Sequence, residues 1–531
     1  MLRRRRLVTA AALAVPVILV AVPSAGAQTR SNTGRTVAQA LSALGGRQAV
    51  TGLRGFRLQT TGRTWILDEA LNPGDDRTPA STFTQTLFFE RAASGTRLRA
   101  DNVRTSLGTA RRITEVVSGR RGYLRGIDAN GGSTATTAMT SDRWAAIRRE
   151  QRLLNPQLIL RDVARRPSLA TSFPTTTLRG RPHRVLLVRD AVAPVRLYVD
   201  SRTGTIDRLT TEDHDYQRRD VRIIVDYSGW RFFGSGSSRL RFPRTVSLRL
   251  DGVTIHSESR TSVRVNPASS AARFRFPSGV NARFDRDLAA RGARTTEWLM
   301  SFAQFGFPKD GPADTIVPRP VAPGSTLIQG IANNSMIVEQ SNAIVVVEAA
   351  LNEARAEALI AYIRRTYPGK PIRFATASHH HADHSGGVRP FAALGATVVV
   401  HQSAVGWFGR ILGSRNSQLL PDRLDASSAE VTIDGVPDGG SVTLPDATRP
   451  VVVLPEKTTH ATTTILVWVP SEGVLFVNGD TYTPGAPPGP GARGLEATIE
   501  ANGLRPQFLA GGHGGIVTYA AFRQALGLPP A

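Results

Sequence analysis

The sequence predicts a two-domain α+β protein, in which an antiparallel β-rich domain precedes a domain of alternating strands and helices. A chain of 531 residues is too long for one ordinary domain. Its first half is rich in alternating strands and hairpin turns, and its last third alternates apolar strands with helices. Prolines concentrated between the two parts disfavour regular structure and mark a connector. The predicted segments are the β-rich domain at 28–310, a proline-rich linker at 311–325 and the second domain at 326–531.

The first 27 residues predict a cleaved export signal. Residues 3–6 are arginines, residues 7–22 form an apolar run, and residues 25–27 supply small side chains for cleavage. An uncleaved membrane anchor is the alternative, but the apolar run is short and the cleavage site is good. We therefore expect a periplasmic or secreted protein. The arginine run leaves the choice between the Sec and twin-arginine export routes open.

The amino-acid composition excludes several kinds of active site. The chain contains no cysteine, so disulfides, thiolate-bound zinc and a cysteine nucleophile are excluded. Any metal ion must be held by nitrogen and oxygen atoms. The sequence also lacks the glycine-flanked serine of α/β-hydrolases and the glycine-rich loop that binds nucleotide phosphates.

The net charge of +24 lies almost entirely in the first part of the chain. Residues 28–315 carry 47 basic and 26 acidic side chains, whereas residues 316–531 carry 15 and 16. Such a basic domain can face an anionic membrane surface. Arginine greatly outnumbers the three lysines, however, which also fits a biased genomic composition. Nucleic acid is not expected as a partner, because no RNA-binding signature or recognition-helix pattern is present.

Hairpins define the β-rich domain. Residues 246–250 alternate in polarity and lead through Asp251 and Gly252, a two-residue turn signal, into another strand. A second hairpin joins 196–199 to 206–209, and a helix is predicted at 142–154. The pattern is typical of an antiparallel sheet with one buried face. On its hairpins alone it resembles the half-barrel of periplasmic lipoprotein carriers, which implies an apolar ligand.

After the linker, apolar strands alternate with helices. A strand at 343–347 ends at Glu348, a helix spans 351–367, and a strand at 372–377 ends at a run of histidines. Such alternation predicts a layered domain with its site at the strand ends, where loops converge. The later predicted strands are 396–400, 450–454, 463–469, 474–477 and 507–510, and the later helices are 387–394 and 518–526.

Seven potential metal ligands lie at these strand ends. Side chains two residues apart in an extended segment point the same way, so His379 and His381 can hold one metal ion together. Asp383 and His384 turn the other way and can hold another. Of the ten histidines in the chain, six lie in or beside these segments. The seven candidates are His379, His381, Asp383, His384, His460, Asp480 and His513.

This ordered set resembles the metallo-β-lactamase fold superfamily over residues 325–531. The run H-x-H-x-D-H at 379–384 is followed by a lone histidine, by Gly-Asp at 479–480 and by Gly-His-Gly at 512–514. The resemblance implies an αββα sandwich with the site at one edge. It implies two divalent metal ions. Zinc is the expected metal, and iron or manganese are the alternatives. The implied roles are a first metal on His379, His381 and His460, a second on Asp383, His384 and His513, and a bridge by Asp480.

Two positions depart from the family pattern. Thr459-His460-Ala461 stands where glycine, histidine and threonine are more usual, so the loop around His460 is the least defined. Glu348 stands where many members have aspartate, and we expect its carboxylate to support the ligands from behind. Residues 347–350 and 376–387 look most like exported members of the superfamily without a settled substrate.

These features predict an exported metal-dependent hydrolase acting on a small molecule. Two metal ions a few ångströms apart can hold a bridging hydroxide, which Asp383 would orient as a catalytic residue. The bond would be an ester, lactone, amide, thioester or phosphoester. One alternative is a mononuclear iron oxidoreductase on the same fold, and another is a ligand-binding carrier with an accessory metal domain. No organic cofactor is expected.

The remaining histidines are expected to be structural. His380 points away from its two neighbours under the alternation above, and His401 follows a buried strand. His183, His214 and His256 are scattered through the β-rich domain. A proline- and glycine-rich loop at 482–493 is predicted to wall the substrate cleft.

Overall fold

The computed structural model describes residues 26–75, 77–93, 95–106, 108–126, 136–295, 315–330 and 333–529. The predicted signal peptide at 1–27 therefore lies outside the described residues except for its last two positions. Among the helices of the described ranges, none combines the length and the apolar character needed to cross a membrane.

Strands dominate the first part of the chain. Alternating burial along them, as in the predicted hairpins, gives one face to the core and one to solvent. In the described residues before position 270, the strands are β1 (Gly55–Ile66), β2 (Thr78–Ala92), β3 (Gly95–Ser106), β4 (Thr109–Ser118), β5 (Arg121–Gly126), β6 (Thr136–Ala138), β7 (Ala170–Leu178), β8 (Arg181–Val188), β9 (Val195–Asp200), β10 (Ile206–Asp215), β11 (Arg219–Ser228), β12 (Arg231–Phe233), β13 (Leu240–Phe242), β14 (Thr245–Leu250) and β15 (Val253–Val265).

Thirteen of these described strands form one antiparallel sheet. Its order is β6-β5-β4-β3-β2-β1-β15-β14-β11-β10-β9-β8-β7, and β12 pairs separately with β13. The predicted tight hairpin is confirmed, since Leu250 pairs with Val253 across Asp251 and Gly252. Both turn residues have positive φ, 46° at Asp251 and 96° at Gly252, as a two-residue hairpin turn requires.

Helices cover one face of this sheet. Val37 and Leu160 on the helices pack with Leu58, Leu197 and Leu248 on the strands in one apolar core. The helix predicted at 142–154 is confirmed to within one residue. In the described part of this region the helices are α1 (Gly26–Leu44), α2 (Arg47–Thr51), α3 (Ser141–Leu154), α4 (Pro156–Arg165) and α5 (Arg286–Gly292).

The second part of the chain alternates strands and helices as predicted. The described strands are β16 (Val317–Ala322), β17 (Ser325–Gln329), β18 (Ser335–Glu339), β19 (Ile344–Val347), β20 (Ile372–Thr376), β21 (Thr397–His401), β22 (Ile433–Val436), β23 (Val442–Leu444), β24 (Val451–Pro455), β25 (Ile465–Val469), β26 (Val474–Val477), β27 (Phe508–Gly511) and β28 (Ile516–Thr518). The described helices are α6 (Glu353–Thr366), α7 (Ala382–Ser385), α8 (Val388–Ala392), α9 (Val405–Gly413), α10 (Ala492–Ala501) and α11 (Tyr519–Ala525).

These elements form an αββα sandwich. In the described residues, β16 to β22 make a seven-stranded sheet and β23 to β28 a six-stranded one, each in chain order. Val345 of the first sheet and Phe476 of the second lie in the apolar layer between the sheets. Helices α6, α8 and α9 cover the outer face of the first sheet, and α10 and α11 cover that of the second. The predicted fold class, a β-rich region followed by this sandwich, is confirmed.

One sequence-based expectation about the linker is wrong. Residues 311–325 were expected to lack regular structure, but β16 lies within them and pairs with β17. Pro318 and Pro320 are tolerated because β16 is at the edge of its sheet, where a missing N–H donor breaks no ladder. Residues 311–314 lie outside the described ranges, and the predicted domain boundaries stay a prediction.

Candidate metal centre

All seven predicted ligands lie in loops or short turns at one edge of the sandwich. The histidine run follows β20, and the one-turn helix α7 continues it directly. Later strands of the second sheet supply the other loops. The ligand positions are His379 and His381 after β20, Asp383 and His384 in α7, His460 between β24 and β25, Asp480 after β26, and His513 between β27 and β28.

The carboxylate of Asp480 is the point at which these loops meet. Its Oδ2 atom lies 3.0 Å from Nε2 of His384 and 3.4 Å from Nε2 of His460. The same oxygen lies 3.7 Å from Nε2 of His513 and 3.9 Å from Nε2 of His379. Four imidazoles from three separate segments of the sequence therefore converge on one carboxylate oxygen.

Three histidines form the first donor set. One ligand atom from each of His379, His381 and His460 lies within 4.8 Å of the others. Nε2 of His379, Nδ1 of His381 and Nε2 of His460 are buried and make no hydrogen bond within the described residues. Buried polar atoms normally have partners. Three such nitrogens facing one another fit a bound cation, and the turn around His460 therefore suits its predicted role.

Asp383, His384 and His513 form the second donor set, again within 4.8 Å of one another. Oδ2 of Asp383 lies 3.4 Å from Nε2 of His384. Imidazole and carboxylate donors without thiolate suit zinc, iron or manganese. The residues present thus fit divalent cations, and Asp480 lies beside both donor sets. The individual ligand roles remain predictions.

Glu348 supports the second set from behind. It is fully buried at the end of β19, and one carboxylate oxygen contacts Nδ1 of His384. The other accepts a hydrogen bond from the backbone N–H of Ser378 at 2.6 Å. With Nδ1 engaged, Nε2 of His384 faces Asp480. This is the supporting geometry that ligating histidines usually have.

The surroundings of the centre lower the pKa of one of its histidines and raise the pKa of two others. Burial, with the neighbouring His384, holds the pKa of His379 well below its usual value. Burial also opposes protonation of His384, but Asp383 and Glu348 outweigh it and raise its pKa well above the usual value. The pKa of His513 is raised because its hydrogen bond to Asp480 outweighs its burial. The same partners, His384 and His513, hold the pKa of Asp480 well below its usual value despite burial.

The other histidines lie outside these two sets. Nδ1 of His380 is 2.8 Å from Oγ1 of Thr463, so its ring points away as expected. Nδ1 of His401 is 2.8 Å from the Ser403 hydroxyl. His214 and His256 are buried in the β-rich part.

His183 lies near two carboxylates in a separate histidine-containing group. Its Nε2 is 3.2 Å from Asp207, and the guanidinium of Arg181 bridges Asp207 and Asp200 at 2.6 and 2.8 Å. Arginine already neutralises these carboxylates, so the group needs no cation.

Sequence reasoning missed several polar residues that touch the ligands. Nδ2 of Asn333 donates to Oδ2 of Asp383 at 3.1 Å. Nδ2 of Asn334 donates to the carbonyls of Gly511 and Gly514 at 2.8 and 2.9 Å, which holds the His513 loop. Two asparagines after a strand carry no signal of this role in the sequence, because only the fold brings them to the ligands.

The loop predicted to wall the cleft packs against the His513 loop. The carbonyl of Pro484 accepts a hydrogen bond from the backbone N–H of Gly515 at 2.9 Å. A side chain at Gly514 would collide with that carbonyl, since its Cβ would lie 2.4 Å away. Glycine is therefore required at 514, while contact of the loop with substrate stays a prediction.

Solved structures similar to this chain include two kinds of protein. A metal-soaked flavodiiron core from Synechocystis matches with a TM-score of 0.31 and 13% identity, over 40% of this chain and 61% of that one. The metallo-beta-lactamase FIM-1 from Pseudomonas aeruginosa, in its mono-zinc form, matches with a TM-score of 0.31 and 18% identity, over 40% and 94%. A metallo-beta-lactamase from Pontibacter korlensis matches with a TM-score of 0.31 and 15% identity, over 40% and 98%. Among curated proteins, none matches this chain.

A family model described as the metallo-beta-lactamase superfamily matches residues 329–488. The match contains the histidine run, His460 and Asp480, and the remaining ligand His513 follows it in the same sheet. The C-terminal part of this chain is therefore a sandwich domain of the metallo-beta-lactamase type, with histidine clusters that could hold metal ions at its edge.

Proposed function

We propose that this protein is an exported hydrolase that uses two divalent cations to cleave a small molecule, and that zinc is the metal. The observation that carries the proposal is the meeting of two donor sets on one carboxylate. Oδ2 of Asp480 lies 3.4 Å from Nε2 of His460 in the three-histidine set and 3.0 Å from Nε2 of His384 in the set of Asp383, His384 and His513. When bound there, two cations supply a nucleophile derived from water at neutral pH and Lewis acidity toward the scissile bond.

The exposure of the ligands gives the side from which substrate would approach. The side chains of His460, Asp480 and His513 are 35%, 28% and 18% exposed. Those of His379 and His384 are 0% and 1% exposed. A substrate would therefore enter over His460 and Asp480, while the buried histidines anchor the centre to the first sheet.

Asp383 is the residue we assign to orienting the attacking water. Its Oδ2 atom accepts a hydrogen bond from Asn333, which fixes the plane of the carboxylate. A carboxylate held in this way can accept a proton from water while the nucleophile attacks. Esters, lactones, amides, thioesters and phosphoesters are the candidate substrates, since each can be cleaved by an activated water.

The test is a hydrolysis screen of the purified wild type and Asp383→Asn, with the metal content of both measured. Asn keeps the shape of the side chain but cannot accept the proton. We expect turnover to fall by about 10²-fold or more, with circular dichroism unchanged. Equal turnover in both proteins would overturn the assignment. Turnover of oxygen with one bound iron, in place of hydrolysis, would favour the oxidoreductase alternative.

The proposal also includes export of the protein from the cytoplasm, with cleavage of its signal peptide. Its support is the arginine-rich start, short apolar run and small-residue cleavage site in residues 1–27. Expression of the full chain followed by cell fractionation tests it. We expect a product outside the cytoplasm whose N-terminal sequence begins after residue 27. An uncleaved cytoplasmic product would contradict it.

A further inference from the structure

Two segments of the β-rich domain touch the metal-binding loop. The turn between β10 and β11 contributes Gln217, whose Nε2 donates to the carbonyl of His380 at 2.9 Å and to the hydroxyl of Ser385 at 2.6 Å. The loop after β1, residues 67–75, contributes the second contact. The β-rich domain therefore contacts the loop of the sandwich that carries the histidine run.

The loop after β1 orients the ring of His381. The carbonyl oxygen of Ala70 lies 2.9 Å from Nε2 of His381. A carbonyl can only accept, so Nε2 must carry the hydrogen. In the neutral ring the lone pair then lies on Nδ1, the atom that faces the first donor set without a hydrogen bond of its own among the described residues.

The same loop places a carboxylate opposite that lone pair. Oε2 of Glu69 lies 3.3 Å from Nδ1 of His381, while Oε1 accepts from the backbone N–H of Ala382 at 3.3 Å. Two donors of a tetrahedral zinc ion, each about 2.1 Å from the metal, lie about 3.4 Å apart. Oε2 of Glu69 and Nδ1 of His381 are thus at the separation that two ligands of one cation keep.

Contacts on both sides of Glu69 fix the position of this loop. Asp68 pairs with the guanidinium of Arg218 through two contacts of 2.6 Å. The carbonyl of Leu71 accepts from the backbone N–H of Thr462 at 2.8 Å. Because Thr462 follows His460 closely in the chain, the loop spans the first donor set from His381 to the His460 turn.

We infer that Glu69 is a further metal-binding residue of the three-histidine position, and that the β-rich domain thereby completes the metal centre. The inference rests on the proposed function, because it needs a cation at that position. It makes the β-rich domain part of the site, through Glu69 as an acidic partner of the cation and Ala70 as the acceptor that orients His381.

The test compares zinc affinities in the full chain carrying Glu69→Gln, with Glu430→Gln as the matched control. Glu430 is an exposed glutamate, so the control makes the same chemical change away from the centre. We expect wild type and control to bind two zinc ions equally. In Glu69→Gln, one of the two should bind about 10–100-fold more weakly by chelator competition. Cobalt(II) at that position should change its visible absorption spectrum.

The outcomes separate this inference from the proposed function. Two unchanged zinc affinities in Glu69→Gln would overturn the inference and leave the proposed function standing. A folded wild type that binds no metal would overturn both. If Glu69→Gln does not fold, Glu69→Asp, which keeps the charge, is measured in the same way. A wild-type affinity and cobalt spectrum in that shortened variant would also contradict a direct role.

Discussion

Glu348 holds His384 in place from behind the metal centre, through a direct contact between a carboxylate oxygen and Nδ1. Nε2 of the same ring consequently lies 3.0 Å from Oδ2 of Asp480. Glu348 adopts a φ of 71°, a conformation uncommon for residues with a side chain. Such backbone strain persists where the surroundings fix it, often at functional sites. The strand end is thus shaped to present this carboxylate.

Removing the charge of Glu348 should weaken the second metal position. Glu348→Gln keeps the size of the side chain but loses the negative charge that supports His384. We expect zinc affinity at that position to fall by about 10–100-fold, measured by chelator competition. The three-histidine position, which Glu348 does not contact in the described residues, should change little. An unchanged pair of affinities would show that Glu348 is only a packing residue.

Asp480→Asn should affect both positions, because four imidazoles converge on its carboxylate. The amide cannot supply the negative charge shared by two cations. We expect both zinc affinities to fall by at least about tenfold, together with hydrolysis. Asp434→Asn, at an exposed aspartate of β22, is the control. Retention of both ions at wild-type affinity would remove Asp480 from the bridging role.

Zinc binding at the second position should depend steeply on pH. The pKa values of His384 and His513 are raised by their carboxylate partners, and each must lose its proton to bind a cation. Affinity there should therefore rise with pH until both have deprotonated. The lowered pKa of His379 makes the first position less sensitive. Calorimetry in two buffers at about pH 6 and about pH 8 measures the protons released, and parallel behaviour of the two positions would contradict the assignment.

The predicted strands and helices of the second domain are close to those observed because local periodicity determines them. The helix predicted at 351–367 forms over Glu353–Thr366, where Asn352 caps it by accepting from the backbone N–H of Arg355. The candidate ligands could be picked out of the sequence because each lies in a short motif at a predicted strand end.

Contacts between distant segments were not visible in the sequence. Ala70 and His381 are 311 positions apart, and Glu69 is one of seven glutamates in residues 28–315. No periodicity or motif connects a loop after β1 with a loop after β20. The edge strand β16 was missed for a different reason, since its prolines are allowed only at a sheet edge and edge position is a property of the fold.

Glu456 should make stability depend on pH independently of metal. Burial raises its pKa to about 8, because the side chain is 2% exposed and the hydroxyl of Thr481, at 3.3 Å, is its hydrogen-bond donor. The folded state holds the proton more tightly than the unfolded state, whose pKa is near 4.5. The stability this contributes is complete below about pH 4.5 and is lost as pH rises through about 8.

Glu456→Gln removes this dependence. The wild type should lose stability relative to the variant by at most about 1.4 kcal/mol per pH unit across that window. Urea unfolding of chelator-treated protein at about pH 5 and about pH 8 measures it. Equal changes in wild type and variant between the two pH values would mean that Glu456 ionises without cost.

The most direct measurement is anomalous diffraction at the zinc edge from crystals of the full chain grown with zinc. Two peaks about 3.5–4 Å apart are expected. One should lie about 2.1 Å from nitrogens of His379, His381 and His460. The other should lie as close to donors of Asp383, His384 and His513, with Asp480 touching both. Crystals of folded protein with no peak at either position would show that the two donor sets do not bind zinc.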